Sequence, residues 1–470
     1  MLRKKITAAF ATLLFVIAAS SVAHADNADT SGVIGYDDMI NVLDRLEAES
    51  NGQLEVFTLD EYGIDNAFSE AGRDLYVAKI GNGDKKVWVQ GRIHGNEPYG
   101  TNTVLRTIEN LMNASDEQYA KVMEEMTIYF IPMYNPDGAE NNQRGTILYD
   151  HETGEPKRDS NGRLMQIDLN RDWLEDGFVA RESLAFYEFW TDIKPEFMLD
   201  LHHQGIPTFP ESNIPVTMSL GISLAPGGPT LPNIKGGEYD VLTRQVMGYA
   251  YNELSKYKEF TVDRYRVGSG GTLEIDIHGG LTSAMMLGLN YENMNPDNHS
   301  HPAVFLEASG QFIDGEREPL IEQNMITTKA ILYGVASGEV NDVDPDIWFN
   351  IPAPQLTGYN TDHSGTVPAE KPAVLAPVSA DEIKSIVDRY AEIGRFSDDA
   401  SARQLQVHLE SLSHLENSGN LSKVEAHLDG LHHLLDHQHS NGLITDGSYE
   451  TLKAYTDYFN NQLSKEAVPN

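Results

Sequence analysis

The sequence predicts an α/β fold, a mixed sheet with helices on both faces, followed by a small all-helical bundle. Two observations predict it. Short apolar runs rich in β-branched and aromatic residues alternate with longer segments of helical spacing through most of the chain. A proline-rich stretch from Pro352 to Pro377 then ends the alternation, and beyond it only helical spacing continues.

The elements follow in order. Met39, Ile40, Leu43 and Leu46 recur at helical spacing, which predicts a helix over Tyr36 to Glu49. Strands are expected around Leu54–Thr58, Leu75–Ile80 and Val87–Val89, then a helix from Pro98 to Met112 with its proline in the first turn. Thr127–Pro132 reads as a strand, Glu182 to Ile193 as a helix, and Phe197–Leu201 as a strand. A helix from Tyr239 to Leu254, a strand at Ala303–Leu306 and a helix from Pro319 to Tyr333 complete this part. Past the prolines, Ser379 and Glu382 have capping-box spacing, and Ile383, Ile386, Val387 and Tyr390 follow on one face. Leu405, Leu409 and Leu412 form a second stripe, Val424, Leu428, Leu431 and Leu435 a third, and Leu452, Tyr455 and Phe459 a fourth. This division assigns residues 26–345 to the α/β domain, 346–378 to a linker and 379–470 to the helical domain.

Residues 1–25 read as a signal peptide: Arg3, Lys4 and Lys5, an apolar run from Ile6 to Ala19, and Ala23-His24-Ala25 as the cleavage pattern. The run is shorter than the roughly 20 residues a membrane span needs, so the expected product is released outside the cytoplasm without a membrane span. The formal net charge of −37 opposes binding to nucleic acid or to anionic membranes. There are no cysteines, so disulfides and thiolate ligands are excluded, and any metal site must use His and carboxylate groups.

Four segments carry residues suited to chemistry. His94-Gly95-Asn96-Glu97 places an imidazole and a carboxylate three residues apart where a strand runs into a helix, so both side chains face one way. A catalytic metal site needs a third protein ligand and leaves a fourth position for water. That ligand is sought in Asp200-Leu201-His202-His203 at the end of a buried strand, where adjacent side chains point to opposite sides and one histidine serves. Asp168-Leu169-Asn170-Arg171 sets an amide beside a guanidinium, a pair suited to gripping a carboxylate. Glu307 ends the apolar strand Val304–Leu306, where burying a carboxylate is costly unless it has a task such as general base.

With Glu70-Ala71-Gly72-Arg73 and Asn135-Pro136-Asp137-Gly138, these segments resemble the carboxypeptidase A-like zinc metallocarboxypeptidase family over roughly residues 36–337. The resemblance implies one zinc ion on His94, Glu97 and His202, with Glu307 as the catalytic glutamate. It implies Asn170 and Arg171 as the clamp on a substrate carboxylate, and Asp168 as the acceptor that orients His94. Arg144 is the implied oxyanion-stabilising residue, with Arg163 as rival across an insertion from Gly145 to Gln166. Tyr265 is the implied mobile tyrosine ahead of Ser269-Gly270-Gly271, with Tyr291 as rival. The helical region resembles the FIMAH domain of secreted proteins of Gram-positive bacteria, which implies an extracellular protein whose bundle meets a cell-surface or matrix partner and takes no part in the chemistry. Its histidines, among them His408, His414, His427, His432, His433, His437 and His439, read as helix-surface or partly packed residues.

The function these features imply is a secreted carboxypeptidase acting on peptide or protein C-termini. Two other readings remain beside it: an amidohydrolase acting on peptidoglycan stem peptides or acyl-amino acids, and a noncatalytic peptide-binding protein on the same fold.

Overall fold

The computed structural model describes residues 32–466 except 114, 210–211, 223–233, 266–272, 275–278, 311–316, 354–358, 362–364, 368–374 and 420. The proposed signal peptide, residues 269–271 and much of the Pro-rich linker lie outside the described residues.

Eight strands form one sheet: β1 (Leu54–Thr58), β2 (Tyr76–Ile80), β3 (Lys85–Gly91), β4 (Met126–Ile131), β5 (Phe197–Gln204), β6 (Met218–Ile222), β7 (Val262–Arg264) and β8 (Ala303–Ser309). Their spatial order is β1-β2-β4-β3-β5-β8-β6-β7. The centre, β4-β3-β5-β8, is parallel, while β1, β2 and β4 pair antiparallel, as do β8 and β6. The sheet is therefore mixed, and its parallel core is covered on both faces.

The strand period of two decides which side chain enters which layer. On β3, Val87 and Val89 join one apolar cluster with Val104, Leu105 and Ile108 of helix α1 (Tyr99–Met112). Trp88 between them points the other way, into a cluster with Phe186, Phe189 and Trp190 of helix α2 (Arg181–Ile193). Helices α3 (Glu238–Leu254) and α4 (Arg317–Ser337) extend the first layer through Val246, Met247, Ile331 and Leu332. Strands β3, β5 and β8 and the last of these helices run beyond the expected bounds, because their ends are held by sheet pairing and packing that periodicity does not register.

Four helices follow near the C-terminus: α5 (Ala380–Glu392), α6 (Asp399–Asn417), α7 (Leu421–Ser440) and α8 (Asp446–Glu466). The Ser379–Glu382 capping box forms as the spacing predicts: Ser379 Oγ accepts from the Glu382 amide at 3.2 Å, and the Glu382 carboxylate accepts from the Ser379 amide at 2.9 Å. The four predicted stripes meet in one buried cluster, which also takes in Phe209, Ile214 and Val216 from the segment between β5 and β6. No helix among the described residues is long and apolar enough to cross a membrane.

One buried carboxylate has a measurable consequence. Glu182, at the start of α2, is inaccessible, and burial, then the charge of Asp137, raises it to about 8. The folded chain keeps this proton between the unfolded carboxyl value and about 8 while the unfolded chain loses it, so stability falls as pH rises through that window. Glu182→Gln should flatten that fall: urea unfolding at pH 8 should show a gain over the wild-type protein that shrinks toward pH 5. An equal gap at both pH values would contradict the assignment.

Candidate metal centre and active site

The site gathers where β3, β5 and β8 end. After β3 the chain turns sharply at Arg92, whose backbone takes the left-handed conformation (φ 60°). That conformation is strained for a non-glycine residue, and its guanidinium holds it by bonding the Gly95 carbonyl at 2.9 Å and the Ile34 carbonyl at 2.6 Å. The turn presses against the Asn135–Gly138 turn so closely that a Cβ on Gly95 would lie 2.0 Å from the Gly138 carbonyl carbon. This contact sets His94 and Glu97 at the head of α1.

On the other side, sheet register does the placing. His202 on β5 pairs directly with Glu307 on β8, Glu307 with Ser219 on β6, and Ser219 with Asp263 on β7. Residues paired across strands share a face. Two residues back, Gln90, Asp200, Phe305 and Gly221 form a second row on that face. A Cβ on Gly221 would lie 2.1 Å from the Phe305 ring, so glycine there lets Phe305 lie over β6.

His94 Nδ1 lies 2.8 Å from Glu97 Oε1, and His202 Nδ1 lies 3.2 Å from both Glu97 Oε2 and His94 Nδ1. One ligand atom from each residue falls within 4.8 Å of the others, and all three residues are buried. His202 Nε2 is 2.8 Å from Asp200 Oδ2, which keeps the proton on Nε2 and turns the Nδ1 lone pair inward. Asp200 Oδ1 accepts from Gln90 Nε2 at 3.1 Å, and Gln90 Oε1 accepts from Trp88 Nε1 at 2.8 Å. His94 Nε2 lies 3.4 Å from Asp168 Oδ1, an ion-pair distance longer than a good hydrogen bond.

These donors fit a cation. Two imidazole lone pairs facing each other at 3.2 Å repel unless a proton or metal ion sits between them. The titration directions agree. Burial lowers His202, but Asp200 and then Glu97 outweigh it and raise it well above the usual histidine range. Burial raises Glu97, but His94 and His202 outweigh it and hold it well below the usual carboxylate range. Both directions favour a positive charge between these side chains.

Glu307 is buried beside this group, and burial raises it to about 8, with Glu97 and Asp200 adding to the rise and His202 and Arg144 opposing it. Arg144 bonds Asp168 at 2.9 Å and approaches Glu97 Oε1 at 3.6 Å. Its rival Arg163 lies in the exposed hairpin formed by the insertion, where its amide bonds Asp159 at 2.9 Å. Asn170 uses its amide oxygen on the Leu281 amide at 3.0 Å, which leaves its NH₂ group, and Arg171 Nη1 bonds the Asn170 carbonyl at 2.5 Å. Tyr265 packs edge-on against Phe305 at 5.2 Å. Burial, then the charges of Glu307 and Glu97, raises it, and Arg144 and Arg171 oppose, so it borders the same cleft. Tyr291 instead packs on Phe178 and bonds Glu292.

His203 faces away and stacks on Tyr99 at 4.5 Å, so the strand period separates the two histidines as expected. Sequence reasoning missed Asp200 as the partner of His202. The signal was present, since residues two apart on a strand share a face. It also missed Gln204, Ser219 and Asp263, which the register brings to Glu307. Gln204 Nε2 donates to Ser219 Oγ at 2.6 Å and to the Glu307 carbonyl at 3.2 Å, and Ser219 Oγ bonds Asp263.

Comparison with known proteins gives two family matches: zinc carboxypeptidase over residues 64–196 and FIMAH domain over residues 380–461. A curated carboxypeptidase 2 of Trichophyton rubrum is 40% identical over 117 residues, which cover 25% of this chain and 18% of that protein. Carboxypeptidase E of Caenorhabditis elegans is 32% identical over 170 residues, 34% of this chain and 33% of that protein. The chain thus spans about a fifth to a third of the length of these relatives. Among solved structures, carboxypeptidase A from Helicoverpa armigera aligns with a TM-score of 0.47 at 14% identity, over 67% of this chain and 77% of that one.

Asp200→Asn removes the charge that holds the His202 ring. It should weaken zinc binding by about 10- to 100-fold, read by competition with a chromogenic chelator. Unchanged affinity would mean that the Asp200 charge does not support His202 as a ligand.

Proposed function

We propose that this chain, which carries a zinc carboxypeptidase domain and a FIMAH domain, is a zinc metallopeptidase that removes the C-terminal residue of peptides. The observation that carries the proposal is the register that sets Glu307 beside His202, at the mouth of a buried three-ligand group, with Arg144, Asn170 and Arg171 in the adjoining loops.

His94, Glu97 and His202 would hold a zinc ion, which when bound would supply Lewis acidity. Glu307 takes a proton from water at its carboxylate and returns it to the leaving nitrogen. Arg144, half exposed and tethered by Asp168, turns its guanidinium to the carbonyl oxygen as charge develops there. The NH₂ of Asn170 and the guanidinium of Arg171 hold the terminal carboxylate, which restricts cutting to chain ends. Tyr265 closes the apolar side of the cleft with Phe305. Burial raises Glu307, and a positive charge nearby would lower it toward the range of a working base.

The wider assignment follows the sequence. Residues 1–25 direct secretion, 26–345 form the catalytic domain, 346–378 the linker and 379–470 the FIMAH-like domain of an extracellular Gram-positive protein. That last domain faces a cell-surface or matrix partner.

Hydrolysis of blocked dipeptides tests the reading. The wild-type protein should release the C-terminal residue in a chelator-sensitive way. Glu307→Gln should lose about 10²- to 10⁴-fold in kcat with bound zinc unchanged. A variant retaining more than a tenth of the rate would remove Glu307 from the mechanism, and release of stem-peptide fragments from muropeptides alone would favour the amidohydrolase.

A further inference from the structure

The helical bundle does not hang free of the sheet. The segment that leaves β5 just after His202 and His203 turns back on itself, with Phe209 donating to the Ile214 carbonyl at 3.0 Å and Val216 to the Pro207 carbonyl at 2.8 Å. It inserts Phe209, Ile214 and Val216 into the core of the bundle, where they are 4%, 0% and 1% exposed. These are core residues of the C-terminal module supplied by the loop between two site strands.

Two polar links add direction. Tyr455 of α8 is buried, and its hydroxyl lies 2.8 Å from Thr261 Oγ1. The Thr261 carbonyl accepts from the Thr217 amide at 2.8 Å, and the Thr217 carbonyl accepts from the Ser309 amide at 3.0 Å. Thr261 immediately precedes β7, four residues before Tyr265. Thr217 immediately precedes β6, two before Ser219, and Ser309 stands two after Glu307. The second link is Arg389 of α5, whose Nε lies 2.6 Å from Glu259 Oε1 while its Nη2 lies 2.8 Å from Glu322 Oε1 on α4. The Glu259 side chain is only 6% exposed, so losing Arg389 would leave a buried carboxylate without its counter-charge. Beyond these links the bundle faces the end of the Glu307 strand across a cavity of about 110 Å³, with Ser309 and Gly310 on one wall and Tyr390 and Ile393 on the other.

We infer that the helical bundle is a positioning element of the active site: Tyr455 and Arg389 hold β6 and β7, and through them the row Glu307–Ser219–Asp263 and Tyr265, in working register. The inference rests on the peptidase reading for its effect on rate, and on the contacts above for its effect on the strands. Tyr455 and Arg389 are positioning residues, since neither lies among the reacting groups.

The experiment uses the full chain with Tyr455→Phe, Arg389→Gln and Arg389→Lys. Tyr455→Phe keeps the packed ring and removes only the hydroxyl, so it folds even where an Arg389 variant does not. Amide hydrogen exchange over residues 217–222 and 261–265 should speed by tenfold or more in Tyr455→Phe and Arg389→Gln. In both, kcat on a blocked dipeptide should fall by about tenfold with KM and bound zinc unchanged, and Arg389→Lys should recover most of both effects. Unchanged exchange in both variants overturns the inference, and so does faster exchange with unaltered kcat. If the wild-type protein proves inactive, the peptidase reading falls by itself, and exchange alone decides whether the bundle holds these strands.

Discussion

The buried carboxylate of Asp200 is the interaction on which the site depends. It accepts from Gln90 with one oxygen and faces His202 Nε2 with the other, and Gln90 is itself held by the indole of Trp88. Asp200, Gln90 and Trp88 are all fully buried, so the chain of bonds ties the orientation of one imidazole to the packing of the sheet. A buried carboxylate without partners is strongly unfavourable. Here the Gln90 partner exists only when β3 and β5 pair in the observed register, so the support Asp200 gives His202 depends on that register. A slip of β5 by one residue would carry Asp200 and His202 to the opposite face.

The same register concentrates negative charge. Glu97, Asp168, Asp200 and Glu307 converge on a small volume in a chain of net charge −37. Arg144 offsets part of it from a half-exposed position, and Arg171 reaches only the rim. His202 is driven toward its protonated form by Asp200 and then Glu97, and Glu307 toward its neutral form first by burial, with Glu97 and Asp200 adding to it. A divalent ion would reverse both, freeing the lone pair on His202 and the carboxylate on Glu307.

How much of this was legible from the residues alone follows from range. The His94–Glu97 turn, the strand ending in His202 and His203, and Glu307 are local patterns of period and spacing, and each was read from the sequence. The Ser379–Glu382 cap was read for the same reason, since its partners lie three residues apart. The pairing of Glu307 with Ser219, and of Ser219 with Asp263, depends on strands far apart in the chain whose order no local pattern records. That Arg144 lies beside Asp168 while Arg163 sits in the exposed hairpin of the insertion depends on how the insertion folds, which no local pattern records. The bundle was read correctly as four helical stripes, yet its contribution to the site was not. Phe209, Ile214 and Val216 sit in an irregular loop, and irregular loops show no periodicity to betray what they bury.

The docking of that bundle can be weighed against a simpler account. Strand β7 lies at the end of the sheet, and an edge strand is a liability that proteins cover. Cover alone requires apolar area, which Phe209, Ile214 and Val216 provide, and a sliding or rotated bundle would serve equally well. The contacts here do not permit sliding. A shift of a few ångströms would strand Glu259 without Arg389, and would leave the hydroxyls of Thr261 and Tyr455 buried and unpaired. The cost of those losses falls on a single segment, the one that runs from Glu259 through β7 to Tyr265. A bundle that only shielded the edge would have no reason to place its polar contacts at the root of the strand that runs on to Tyr265.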